Sequence, residues 1–144
     1  MSPRQDWRSQ TPNNLPAWRP CSGRLAALAA RSKHPPKRVA GPGLGANLNL
    51  PIPRGTGDQG FLETVDRGLA RIGAFGTDLL VIALGLDAYE GDPFGGLTFI
   101  TPGFVRMATA IVGFELPSVI VQKGGHLCPE LGANLASFLG ADAP

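Results

Sequence analysis

The chain's 144 residues and 15.0 kDa leave room for one modest domain. An apolar share of 43% against 17% charged residues allows a buried core and excludes wholesale disorder. Two cysteines, Cys21 and Cys128, exclude a disulfide framework, and two histidines, His34 and His126, exclude a metal site built mainly from imidazole.

The formal net charge of +2 hides a split along the chain. Residues 1–40 carry eight Lys/Arg against one acid, and residues 41–144 carry five against ten. The first segment also holds six of the prolines and only Gly23 among the glycines. The composition changes near Val39 and Ala40, which divides the chain into a basic, Pro-rich segment (1–40) and a main domain (41–144). The basic segment shows neither the period of a strand nor that of a helix, so it is expected to be irregular and disordered. Its one apolar patch runs from Leu25 to Ala30. Arg31, Lys33, Lys37 and Arg38 form a cluster that suits phosphates or another anionic surface. Pro3, Pro12, Pro16 and Pro20 break any amphipathic helix of the kind a transit peptide needs. No secretory hydrophobic region is present, and the longest apolar run, Leu79–Leu86, is too short to span a bilayer. A cytoplasmic location away from membranes is expected.

Beyond the boundary, Phe61, Leu62, Val65, Leu69 and Ile72 recur at helical spacing after Asp58. An Asp cap followed by this stripe predicts a helix over 59–75, stopped by Gly76. Leu79–Leu84 is a continuous aliphatic run, expected to be a strand buried on both faces. Gly91–Gly96 reads as a loop in which Asp92, before Pro93, is a turn residue. A second helix is predicted over 102–112, with Pro102 in its first turn. Ser118–Gln122 is a second buried strand, and a third helix follows over 130–139. Strand, helix, strand, helix makes a parallel α/β arrangement, in which function gathers at the carboxyl ends of the strands. Gly85-Leu86-Asp87-Ala88 leaves the first strand there, and Lys123-Gly124-Gly125-His126 leaves the second. If the strands are neighbours, Asp87 and His126 share one crevice. With Cys128 they would make a three-ligand set of a kind zinc accepts. Taken singly, His126 also fits a half-exposed loop histidine, Cys128 a packing residue and Tyr89 a rim residue.

The segments Asn47–Asp58, Leu84–Pro93 and Gly124-Gly125-His126, in this order and spacing, resemble the C-terminal part of histone deacetylases. The look is closest to bacterial histone-deacetylase-like and acetylpolyamine amidohydrolases. The resemblance implies part of a three-layer arginase/deacetylase α/β domain with a parallel sheet, and hydrolysis of an acetyl amide by zinc-bound water. It places Asp87 at a metal-ligand position and His126 where the family normally has a Tyr that polarises the scissile carbonyl. It places Phe94, Gly124 and Gly125 along the acyl pocket.

The sequence also departs from that pattern. The family's Asp-x-His ligand pair and tandem His-His acid/base are missing, and His34 fits neither. Lys123 stands where a glutamate is common, and His in place of the Tyr accompanies weak handling of acetyl-lysine in one subclass. A catalytic zinc keeps three protein ligands and a water. The implied substrate is therefore an acetylated small molecule or acetyl-lysine, with the isolated chain inactive or very weak. Unpaired sheet edges imply a complementing chain or self-association. A different class of function is a non-catalytic interaction protein whose basic tail contacts nucleic acid. Salt-sensitive binding lost on removing residues 1–40 would identify it.

Overall fold

Phe61, Val65, Leu69 and Ile72 form the buried stripe of a helix, α1 (Asp58–Phe75). Its two later glycines are compatible with that length because tertiary burial, more than local propensity, holds a helix in place. Gly68 lies on the buried stripe itself. Gly73 leaves room for Phe114, whose Cζ would stand 3.1 Å from an added Cβ. Gly76 ends the helix in the left-handed conformation, φ 71°, and its N–H donates to Gly73 O at 2.9 Å. The start differs from the sequence expectation. Gly57 is the cap, and Asp58 is the first helical residue. Its carboxylate reaches across to the next helix, accepting the Ile100 N–H at 2.9 Å and pairing with Arg106.

The computed structural model describes residues 47–142 and the backbone of 25–28. Strand β2 (Leu79–Leu84) and strand β3 (Ser118–Gln122) run parallel, with Leu80 opposite Ser118 and Leu84 opposite Gln122. Helix α2 (Thr101–Val112) connects them, with Pro102 in its first turn. Helix α3 (Leu131–Leu139) follows β3, and a 3-10 turn, Gly140–Asp142, closes the described chain. On the other edge of β2, strand β1 (Leu25–Leu28) pairs in parallel with Leu25 opposite Leu79, giving the order β1-β2-β3. These four residues are the exception within a segment expected to be irregular. They come from its one apolar patch, and an existing strand edge offers the ladder that so short a run could not make alone. The rest of that segment lies outside the described residues, including the Arg31–Arg38 cluster and His34.

The burial expected for both strands is corrected. In β2 only Leu80, Ile82 and Leu84 are buried, alternating with half-buried Leu79, Val81 and Ala83. β3 is exposed throughout, with Val119 at 50% and Val121 at 49%. The cause is the layering. Leu80, Ile82 and Leu84 share one core with Phe61, Val65 and Leu69 of α1, with Phe104, Met107 and Ile111 of α2, and with Phe138 of α3. The register puts Val119 and Val121 on the opposite face, beside Val81 and Ala83. On that face the β3 valines are about half exposed while Val81 and Ala83 are half-buried. Even on the helical side, Ile120 borders an open cleft of about 390 Å3 between β3, α2 and α3.

Candidate active site at the strand ends

The backbone ladder continues beyond β2 and β3. Lys123 N–H donates to Leu84 O at 2.7 Å and Leu86 N–H to Gly124 O at 3.3 Å. The two predicted site loops are therefore tied together at the carboxyl end of the sheet. Asp87 Oδ1 lies over this junction. It would be 2.6 Å from a Cβ added at Gly85 and 3.3 Å from one at Gly124. The loops approach only because both positions lack a side chain. Gly124 and Gly125 also take φ of 114° and 109°, a region that L side chains rarely adopt. At Gly125 an added Cβ would lie 2.9 Å from both Leu86 Cβ and Leu131 Cδ1, so this glycine also lets α3 close on the strand end.

His126 turns toward Asp92. The Asp92 carboxylate is 1% exposed, while the His126 side chain is 47% exposed. His126 Nδ1 lies 3.0 and 3.1 Å from the two carboxylate oxygens, and its backbone N–H donates to Oδ2 at 2.8 Å. Phe94 N–H donates to Oδ1 at 2.9 Å, which is the turn contact expected of an Asp before Pro. Burial pushes the Asp92 pKa up. The hydrogen bonds from the His126 and Phe94 backbones, with the His126 ring bond and charge, outweigh that and hold it below the usual carboxylate value. Phe94 is 74% exposed and meets the His126 ring edge-on, with centroids 4.8 Å apart. Sequence reasoning missed the Asp92–His126 pair because its members are 34 positions apart.

The loop that carries Asp92 is braced from behind by the Asn47–Asp58 motif. Gly55 N–H donates to Gly96 O at 2.7 Å, Thr98 N–H to Thr56 O at 3.0 Å, and the Arg54 guanidinium to Gly95 O at 3.3 Å. Within the loop, Gly95 N–H donates to Asp92 O and Asp92 N–H to Tyr89 O, both at 3.1 Å. The motif thus acts here as scaffold. Tyr89 is partly buried against the core. Burial first, then the neighbouring Glu130 and Glu90 carboxylates and the Cys128 sulfur, raise its pKa against an opposing hydrogen bond from Thr101. Cys128 is a half-buried free thiol. Asp87, His126 and Cys128 do not assemble as a ligand set. Among the described residues, no three His, Cys, Asp or Glu side chains come together to hold a metal. No helix among the described residues is long and apolar enough to cross a membrane.

The histone deacetylase domain matches residues 29–141 of this chain. An acetylpolyamine amidohydrolase of Burkholderia pseudomallei is 44% identical over 104 residues, which cover 72% of this chain and 30% of that protein. One from Mycoplana ramosa is 35% identical over 99 residues, covering 69% and 29%. The crystal structure of the Burkholderia pseudomallei acetylpolyamine aminohydrolase superposes with a TM-score of 0.69 at 44% identity, over 72% of this chain and 30% of that one. The histone deacetylase Clr3, at 23% identity and a TM-score of 0.66, shares the fold over 72% of this chain and 18% of its own. The described α/β unit is thus part of an arginase/deacetylase domain. The chain spans about 30% of the length of these amidohydrolases.

Proposed function

The chain belongs to the histone deacetylase domain family, and from that premise we propose that it supplies the strand-end segment of a zinc-dependent amide hydrolase site. Asp87 is one ligand of the metal in this reading. His126 stands at the carbonyl-polarising position, and Phe94, Gly124 and Gly125 border the acyl pocket. The substrate class is an acetylated polyamine or acetyl-lysine. The observation that carries the reading is the Asp87 carboxylate lying over the tied junction of Gly85 and Gly124, where the matching motifs converge.

A complete zinc site does not fit the residues present. One carboxylate stands at the strand ends without two companions among the described residues, and the only other imidazole in the sequence is His34. No hydrolytic step is therefore assigned to this chain alone, and activity requires ligands from other polypeptide. A complementing chain that pairs with the open sheet is the partner this requires.

A chimera provides the test. Residues 41–141 replace the matching segment of the Burkholderia pseudomallei amidohydrolase, and metal-dependent deacetylation of an acetylpolyamine is measured. Activity is expected in the chimera, lost with Asp87→Ala and increased by His126→Tyr, because a phenol restores a neutral donor for the developing oxyanion. The isolated chain is expected to take up no stoichiometric zinc in a calorimetric titration. An active chimera indifferent to Asp87→Ala would defeat the assignment of that residue.

A further inference from the structure

Asp92 makes an unusually complete set of contacts for a loop carboxylate. It accepts the His126 ring at 3.0 and 3.1 Å, the His126 backbone N–H at 2.8 Å and the Phe94 backbone N–H at 2.9 Å. Ring and backbone of one histidine are thus tied to one buried group, which leaves the imidazole little freedom to turn. The Phe94 ring lies edge-on against it as a further restraint. An ionised carboxylate only accepts hydrogen bonds, so the nitrogen facing it must carry the proton. The proton on one ring nitrogen of a neutral histidine decides the chemistry of the other.

We infer that Asp92 is a positioning residue that holds neutral His126 as its Nδ1–H tautomer, so that Nε2 of this 47% exposed side chain offers a lone pair and no hydrogen. The tautomer stands on the geometry alone. Its consequence for catalysis rests on the proposed placement of His126 at the carbonyl-polarising position. A tyrosine hydroxyl there donates while neutral. His126 held in this way accepts while neutral, and donates from Nε2 only as the imidazolium. The substitution therefore reverses the polarity of the group offered to an oxyanion. Asp92 is what prevents the ring from restoring it by exchanging tautomers. The same lone pair suits Nε2 to accept a proton or a hydrogen bond from a neutral ligand.

The test is nitrogen NMR on the full chain labelled with 15N-histidine, recorded well above the ordinary histidine pKa. His34→Gln assigns the two rings. A protonated Nδ1 and an unprotonated Nε2 are expected at His126, with the Nδ1–H form in excess by more than about tenfold, as a charge-assisted hydrogen bond dictates. Asp92→Asn removes the charge while leaving a carbonyl for the Phe94 turn, and the excess is expected to fall several-fold. A dominant Nε2–H form in the unmodified chain overturns the inference, and so does an unchanged ratio in a folded Asp92→Asn chain. If that variant does not fold, the spectrum of the unmodified chain still decides. Neither result depends on deacetylation, so an inactive chimera and a wrong tautomer are separate failures.

Discussion

Replacing Gly125 by Ala tests whether the glycine pair is demanded by the fold at the strand ends. A side chain at φ 109° costs about 1–3 kcal/mol as local strain. The added Cβ would also press on Leu86 Cβ and Leu131 Cδ1, each at 2.9 Å. Leu131 can yield, because the contact is with the end of its side chain. Leu86 cannot easily do so, since it is 2% exposed and its N–H is bonded to Gly124 O. Overpacking of this kind adds about 1–3 kcal/mol, so the total is about 2–6 kcal/mol. At Gly124, φ 114°, an added Cβ comes no closer than 3.3 Å to its neighbours, leaving chiefly the strain. At Gly132, inside α3, it meets nothing within 4 Å, and Ala there gains about 0.5–1 kcal/mol over Gly. The expected order of stability is Gly132→Ala, parent, Gly124→Ala, Gly125→Ala. Urea unfolding followed by far-ultraviolet circular dichroism at fixed protein concentration reads it directly. With a slope of about 2 kcal/mol per molar urea, Gly125→Ala lowers the midpoint by roughly 1–3 M. A Gly125→Ala midpoint equal to the parent's would refute the description of a close, left-handed crossing.

Three further outcomes follow from particular contacts. Asp58→Ala should cost about 1–3 kcal/mol, because it leaves the Ile100 N–H without its acceptor. Arg106→Ala, at the exposed end of the same pair, should cost no more than about 1 kcal/mol; equal losses in thermal unfolding would contradict that asymmetry. The lowered pKa of Asp92 makes its stabilising contribution full above the unfolded carboxylate value. That contribution is lost as pH falls through the folded value. Asp92→Asn should therefore flatten the acid side of a stability–pH curve, and an unchanged curve would count against the paired carboxylate. Lysine at both Val119 and Val121, on the uncovered face of β3, should reduce self-association in sedimentation velocity. No change would mean that this face does not mediate it.

Element positions were legible because helices and strands have different periods. The stripe from Phe61 to Ile72 and the aliphatic runs at 79–84 and 118–122 each fold where they were expected. Burial was less legible, because a continuous apolar run announces a strand suited to cover on both faces without saying whether the cover is present. Leu79–Leu84 and Val119–Val121 both carry that signal and meet a helical layer on one side only. Strand β1 was not read because four residues, two of them alanine, show no period. The neighbouring edge of β2 makes the strand. Asp58 and Asp92 were read as local caps and turns, and their decisive partners lie 42 and 34 positions away. Asp87 and His126 were singled out because strand ends are where an α/β sheet collects function, a rule that needs only strand order; the structure ties the two loops that carry them together.

Backbone dynamics should follow the same one-sided layering. β2 has a ladder partner on each edge, and its inward side chains are in the core. β3 has β2 on one edge only and exposed side chains throughout. Opening β3 therefore sacrifices little apolar burial, whereas opening β2 exposes Leu80, Ile82 and Leu84 together. In the isolated chain, amide hydrogens of β3 bonded to β2 should exchange at least about tenfold faster than those of β2 bonded to β1, a difference of about 1.4 kcal/mol in opening free energy. If the added domain in the chimera with the amidohydrolase covers the exposed face of β3 and its free edge, the two strands should become similarly protected. Under the proposed ligand role of Asp87, catalytic competence and β3 protection should then appear in the same species, if the polypeptide that covers the sheet also brings companions to Asp87. Equal protection of β2 and β3 in the isolated chain would contradict this coupling, because the site would then be incomplete on a sheet that is already closed.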